Sequence, residues 1–493
     1  MSPEVHVVQS LNFPRIQHGN QATMPAQQSL RTANSPRAAW SLWRVGVVIG
    51  LLAAGLFALG LGDAPFVDEY AYITQSYQPD LVFSGRMNDA SWLDGLGYDL
   101  VPLPKFWINL AFRAAGIPRP SPWDALAWYD NTSHRWGTER ELLIARLPSI
   151  VLGAVGCVAI FAIGTILRDE RTGAIAAFLL AINPLYSLHA HRAMSEAGCE
   201  AFLLVAVALG LLAWKSLLSR GPIALSLLLL IAAGCSAGLS ILSKFNGILV
   251  LLSLVGWTCL ALALPGMPRA AKLGLCAGTG GAIMTAWAVF VALNPFMTAH
   301  PAGYLPAQLR AIAELSAWQR FRFLVEHRGQ VSSDQQGIFA HNALHSLSER
   351  AGVVLVQGFG RFGPLGPRKS DSTRRYDLRQ DWGAFFWLPV VLAGVISAIR
   401  LGKQQHRQSQ VPTGWALADE IDTIPADQPQ APTGWALVVW SALSIFVVTV
   451  YLPMAWDRYQ LPIQAPAALL AALPLASALT ALRTWFTHLS QRR

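Results

Sequence analysis

Apolar residues come in long runs along nearly the whole chain, with polar residues gathered between them. A helix rises about 1.5 Å per residue, so crossing a hydrocarbon core of about 30 Å takes about 20 apolar residues. Roughly ten runs reach that length: residues 42–61, 142–167, 172–190, 197–218, 222–242, 244–264, 273–293, 381–400, 435–453 and 461–483. The pattern predicts an all-α polytopic membrane protein with about ten or more transmembrane helices. Several connections, such as Ser243-Lys244, are so short that the flanking spans must run antiparallel.

The charges between the runs predict orientation. Arg31, Arg37 and Arg44 precede the first run, and Arg168 with Arg171 follows the second. Lys215 and Arg220, Arg269 and Lys272, then Arg400, Lys403 and Arg407 follow on alternate connections, and Arg483, Arg492 and Arg493 close the chain. The opposite short connections hold single cations, Arg192, Lys244 and Arg458. Positively charged connections stay in the cytoplasm, so both termini are expected there and two long connections, 62–141 and 294–380, outside. The implied organisation is a disordered cytoplasmic tail over 1–37 and an N-terminal transmembrane catalytic module over 38–293. An extracytoplasmic loop or cap follows over 294–380, then C-terminal transmembrane helices over 381–493. Within that last part, 401–434 is a cytoplasmic linker in which Pro412–Leu417 recurs as Pro432–Leu437, a local duplication. Pro104–Arg113 is apolar and aromatic but too short to span, which suits an amphipathic helix on the outer interface. The stretch from Arg361 to Arg379 reads as a loop.

Composition agrees. Hydrophobic residues make up 53% and charged residues 13%, against about a quarter charged in soluble domains. The formal net charge of +9 would suggest nucleic acid in a soluble protein. Here the basic residues lie between membrane runs, so no nucleic-acid partner is expected. Cys157, Cys199, Cys235, Cys259 and Cys276 all fall inside apolar runs and read as small core residues. There is no phosphate-cradling glycine loop, paired-cysteine motif or nucleophile elbow. Asn131-Thr132-Ser133 is a formal glycosylation sequon.

Candidate chemistry gathers on the outer side. Asp68 and Glu69 follow the first span; adjacent carboxylates there suit a general base, alone or with a divalent metal ion, or equally a pair of charges at a helix N-terminus. Arg192, Glu196 and Glu200 are spaced to share one helix face, as an ion ladder or a functional cluster. His189 and His191 are two residues apart, a spacing that does not converge on a metal, and read as interface histidines. Lys244 and Arg458 are lone cations on the side otherwise poor in positive charge. A phosphate-bearing lipid headgroup would explain them, as would snorkelling at helix ends.

Several segments, taken in order, carry a family resemblance: Val67-Asp68-Glu69-Tyr70, Pro102-Leu103-Pro104-Lys105-Phe106-Trp107, Ala145-Arg146-Leu147-Pro148-Ser149, Asn183-Pro184 with Arg192–Glu196, Gly238–Gly247, and Asp457-Arg458-Tyr459-Gln460-Leu461-Pro462. They resemble the GT-C class of membrane glycosyltransferases, in its protein O-mannosyltransferase and aminoarabinose–lipid A transferase branch. The resemblance implies a polyprenyl-phosphate sugar donor, a lipid, glycan or protein acceptor, and an extracytoplasmic active site. It places the acidic motif, serving the acceptor as base or through a metal, on Asp68 and Glu69. It places donor-phosphate contacts on Lys244, Arg458, Tyr459 and Lys105, and acceptor, sugar or metal positioning on Arg192 and Glu196. The rival expectation is a secondary transporter or lipid flippase, which would place charges near the bilayer midplane. Only Glu200 is a strong candidate there, and the other polar residues gather at one face.

Overall fold

The computed structural model describes residues 36–129, 138–368, 373–410 and 431–491. Of the tail expected over residues 1–37, residues 1–35 lie outside the described residues, as do the sequon and the Pro412–Leu417 copy of the repeat, while Pro36 and Arg37 begin a helix. The chain divides into a short unit, Met1–Val45, and a second, Gly46–Arg493. In the first, the described residues are the start of helix α1, Pro36–Ala58.

The remaining elements lie in the second unit. After α1 come α2 (Val67–Thr74), α3 (Pro102–Ala114), α4 (Glu139–Leu167), α5 (Glu170–Ala181), α6 (Pro184–Ala190) and α7 (Glu196–Leu218). These lead to α8 (Ile223–Ser243), α9 (Ile248–Ala263), α10 (Arg269–Ala292), α11 (Ala317–Ile338), α12 (Ala384–Gln410), α13 (Thr433–Tyr451) and α14 (Leu461–Gln491). Shorter helical turns fill the long connections. Among the described residues there is no strand, only an isolated antiparallel bridge between Ala343 and Met454. Backbone polar groups in lipid must be satisfied within each segment, and helices do this.

Eight helices among the described residues are long and apolar enough to span a membrane. The run at 172–190 is a ninth, but it is broken: α5 and α6 meet at 72°. The cause is local. Pro184 cannot donate to the preceding turn and pushes Asn183 out of the helical region, to φ −61° and ψ 120°. The Asn183 side chain then caps the new helix by accepting from Tyr186 N at 2.9 Å. The first run is shorter, with Leu42–Ala58 as its apolar helix. The chain is thus a polytopic all-α membrane protein.

Packing runs through α4, α7, α8 and α10 on one side and α5, α12, α13 and α14 on the other. The α8–α10 contact shows how these helices come close without a hydrophobic drive from water. Gly234 and Gly238 lie four residues apart on α8, and a Cβ built on Gly234 would sit 2.4 Å from Ala282 O of α10. Small residues at that spacing let backbones touch. Cys157 and Cys199 are buried, whereas Cys259 and Cys276 lie on outward faces, so the expectation of core cysteines fails for those two. Arg361, expected in a loop, is buried, with its Nε 2.7 Å from Asp381 Oδ1.

One buried pair fixes the connection after α1. Arg146 of α4 and Glu69 of α2 are both 0% exposed, with Nη2–Oε2 at 2.6 Å and Nε–Oε1 at 2.8 Å. Arg146 Nη1 also donates to Leu61 O and Asp63 O, at 2.7 and 2.8 Å. Glu69 in turn accepts from Phe66 N and Ala193 N, each at 2.9 Å. Burial alone would raise the Glu69 pKa, but Arg146 and the two backbone donors outweigh it and hold the carboxyl below the usual 4.5.

Gly234→Ile should cost about 1–3 kcal/mol by forcing α8 from α10, read as a lower unfolding temperature of the purified chain. Gly280→Ala, where an added Cβ meets nothing within 4 Å, should not lower it. Arg146→Met should cost about 3–5 kcal/mol by leaving Glu69 charged and unpaired, and adding Glu69→Gln should recover part of that. Because the folded pKa of Glu69 lies below the unfolded value near 4.5, its contribution is present above that pH and is lost as pH falls through the folded value. The stability gap between wild type and Glu69→Gln should therefore be full at pH 7 and narrow below pH 4.5.

Candidate active site

Three cavities meet at the end of the bundle where α2, α7 and α14 begin. The first, of about 700 Å³, has charged groups in its wall. Asp68, Asp94, Asp99 and Glu196 face it together with Lys244, Arg328, Arg458 and His327. The second, of about 530 Å³, is largely apolar, with Ile248, Leu249, Val325, Val447 and Leu452 in its walls. The first and second share Phe245, Asn246, Arg328, Ser332, Tyr451 and Tyr459. The third, of about 720 Å³, is lined by Asp63, Phe66, Arg192, Phe339, Asn342, Trp456 and Asp457 among others. It shares only Asp68, Gln335 and Arg458 with the first.

Each cation of the first cavity has a carboxylate beside it. Lys244 sits between the end of α8 and the turn Phe245–Gly247, in extended backbone at φ −165° and ψ 142°. That break turns its ammonium toward Glu196, the first residue of α7, with Nζ–Oε1 at 2.7 Å. Burial opposes the Lys244 charge, but the Glu196 carboxylate more than compensates and raises its pKa above the usual lysine range. Arg458, in the turn before α14, is paired with Asp68. Its guanidinium lies 4.7 Å over the Trp456 ring and 5.9 Å from that of Tyr459. Tyr459 stacks on Trp456 at 6.2 Å and lies 5.8 Å from Lys244 Nζ. Arg328 Nη1 and His327 Nε2 stand 3.7 and 3.4 Å from Asp99 Oδ1.

The structure thus brings Asp68, Glu196, Lys244, Arg458 and Tyr459 to one cavity. It separates three other candidate residues from it. Glu69, expected beside Asp68 in chemistry, is sealed against Arg146 and is absent from the walls of all three cavities. Neighbours in a helix point about 100° apart, so Asp68 and Glu69 diverge into different surroundings. Lys105, expected at a phosphate, is also absent from those walls. Its helix α3 does not lie on the interface by its apolar side alone: Lys105 and Asn109 are buried. Lys105 Nζ donates to Gln78 Oε1 at 2.8 Å and to Leu96 O at 3.2 Å, and burial pushes its pKa down to about 7. Arg192 does not share a helix face with Glu196, because α7 starts only at Glu196. It lies 4.4 Å over the Phe66 ring and faces the third cavity.

The interface histidines are buried instead. His189 Nε2 is 3.7 Å from Asp457 Oδ1, and His191 Nε2 is 3.4 Å from Asp63 Oδ2. Burial pushes His191 down to about 4 despite Asp63. Among the described residues, no three His, Cys, Asp or Glu side chains are grouped to hold a metal. Asp68 and Glu69 each have an arginine partner.

Sequence reasoning missed Asp94, Asp99, His327 and Arg328. The last two lie on α11, within a connection that hydropathy reads only as polar. Its signal was available in spacing. His327, Arg328, Val331, Ser332 and Gln335 recur every three or four residues and all face the first cavity.

The sequence profile of a family described as dolichyl-phosphate-mannose-protein mannosyltransferase matches residues 138–297. No curated protein sequence matches the chain. Among solved structures, the oligosaccharyltransferase AglB from Archaeoglobus fulgidus, in complex with an inhibitory peptide and a dolichol-phosphate, is similar at a TM-score of 0.52 and 14% identity. That match covers 90% of this chain and 51% of the other. The same archaeal enzyme in complex with zinc and sulfate matches at 0.50 and 16%, covering 88% and 50%. ArnT from Cupriavidus metallidurans, bound to undecaprenyl phosphate, matches at 0.45 and 14%, covering 88% and 60%. The chain spans about half the length of the archaeal oligosaccharyltransferase. The helical architecture and the archaeal match show a shared fold, and over residues 138–297 the chain is similar to the dolichyl-phosphate-mannose-protein mannosyltransferase family.

Proposed function

We propose that the protein transfers a sugar from a polyprenyl-phosphate donor to an acceptor at the extracytoplasmic face of the membrane. The observation that carries the reading is the shared wall between the first and second cavities. A polyprenyl phosphate is apolar along its chain and anionic at its head. The second cavity suits the chain, and the first offers Lys244 and Arg458 to the phosphate. That AglB has been captured with a dolichol-phosphate is in keeping with such a donor.

The third cavity takes the acceptor in this reading, with Arg192 in its wall. Asp68 stands where it meets the first. The acceptor O–H gives its proton to the Asp68 carboxylate while its oxygen bonds to the anomeric carbon from the face opposite the phosphate. The bond from that carbon to the phosphate oxygen breaks, and its electron pair stays on the phosphate. Lys244 and Arg458 stabilise the charge that develops there. Glu196 is a positioning residue that holds the Lys244 ammonium. Charge distribution supports the outward placement: the paired arginines and lysines follow α4, α7 and α9, at the ends away from Asp68, Glu196 and Lys244.

The test compares glycolipids and glycoproteins by mass spectrometry in cells carrying the wild-type chain, Asp68→Asn, or neither. Sugar-bearing species that depend on the wild-type chain should fall at least a hundredfold with Asp68→Asn at equal protein level. Production within tenfold of wild type would reject Asp68 as the base.

A further inference from the structure

Asp68 is given two incompatible tasks by its surroundings. As a base it must present a free carboxylate to the third cavity, yet it is held by Arg458 in the wall between that cavity and the first. Arg458 does not depend on Asp68 for its position, because its guanidinium lies over Trp456. The carboxylate is the more exposed partner, at 30% against 17% for Arg458. It can therefore leave while the guanidinium stays.

Resting on the reading above, we propose that the donor phosphate and Asp68 compete for Arg458, so that donor binding unmasks the base and the two substrates add in order, donor first. Without a donor the carboxylate is engaged by the guanidinium, so an acceptor alone meets no free base. The donor phosphodiester carries one negative charge, as a carboxylate does, but in the first cavity it meets Lys244 as well as Arg458 and so takes the guanidinium. Asp68 is then released toward the third cavity, where it accepts the proton from the acceptor hydroxyl. After transfer, the phosphate leaves with its lipid, Asp68 gives its proton to water, and the pair closes again. The Lys244–Glu196 pair differs: its cation is the more exposed partner, at 20% against 2%, so Lys244 meets the phosphate while it stays on Glu196.

This competition has a sign that a purely catalytic Asp68 lacks. Removing the carboxylate should abolish transfer but tighten binding of a lipid phosphate. The experiment titrates the full chain in detergent with farnesyl phosphate, farnesol and inorganic phosphate, reading intrinsic tryptophan fluorescence. Wild type should bind farnesyl phosphate at least tenfold more tightly than farnesol, and inorganic phosphate more weakly than farnesyl phosphate. Asp68→Asn should bind farnesyl phosphate roughly tenfold more tightly than wild type, the scale of one charged hydrogen bond in a partly exposed site, with farnesol unchanged. Asp68→Ser, which lacks the amide oxygen through which Asn could stay on Arg458, should change in the same direction. Unchanged or weaker farnesyl phosphate binding in both variants overturns the competition. If wild type does not distinguish farnesyl phosphate from farnesol, the phosphate site itself is wrong. If inorganic phosphate binds as tightly as farnesyl phosphate, the site takes a free anion and the lipid donor is wrong.

Discussion

An arginine side chain carried into a helical bundle must bring its counter-charge with it, and here the counter-charge comes from another part of the chain. Arg146 enters from α4 and Glu69 from α2, 77 residues apart in sequence. Neither is solvated, so each is tolerable only because the other is present. The remaining hydrogen-bonding capacity of both is spent on backbone: Arg146 on the carbonyls of the chain between α1 and α2, Glu69 on Phe66 N and Ala193 N. One ion pair therefore ties the end of α1, the start of α2, the second turn of α4 and the turn before α7 to one another. Asp68, one residue from Glu69, takes its position from this knot. The break of α5 and α6 at Asn183-Pro184 supplies the last of these strands, since it returns the chain through His191 and Arg192 to Ala193.

Around this knot the charges divide into two populations. Those that hold the fold, Arg146 with Glu69 and Arg361 with Asp381, are sealed from solvent on both sides. Those that face cavities remain partly accessible on at least one partner, as with Lys244 at 20% and Asp68 at 30%. A sealed pair cannot exchange partners without exposing a bare charge to low dielectric. An accessible pair can, because an incoming ligand or water takes the vacated place. Accessibility, more than pairing itself, separates architecture from chemistry here.

How much of this the sequence disclosed follows from the range of each signal. Spans were legible because hydropathy over about 20 residues reports on a single helix and its solvent. The proline break was also local, yet it reads as uninterrupted apolarity unless Asn183-Pro184 is weighed as a cap. The gathering of Asp68, Glu196, Lys244 and Arg458 was indicated because each sits at a span end on the same side. Glu69 was placed at the site for the same reason, and Lys105 because its segment resembles the family's juxtamembrane helix. The difference lies in partners far away in sequence, Arg146 for one and Gln78 for the other. Arg328 was missed because a polar connection gives no hydropathy signal of its own, although α11 carries a regular stripe.

That stripe has a consequence of its own. The α11 residues facing the first cavity, from His327 to Gln335, occupy one face of a single helix. Any of them can be exchanged without moving the others, since each side chain projects separately from a fixed backbone. A one-residue insertion or deletion upstream within α11 is a different kind of change. It turns every later position by about 100° and carries the whole set off the cavity together. This wall is tolerant of substitution and intolerant of any change in length.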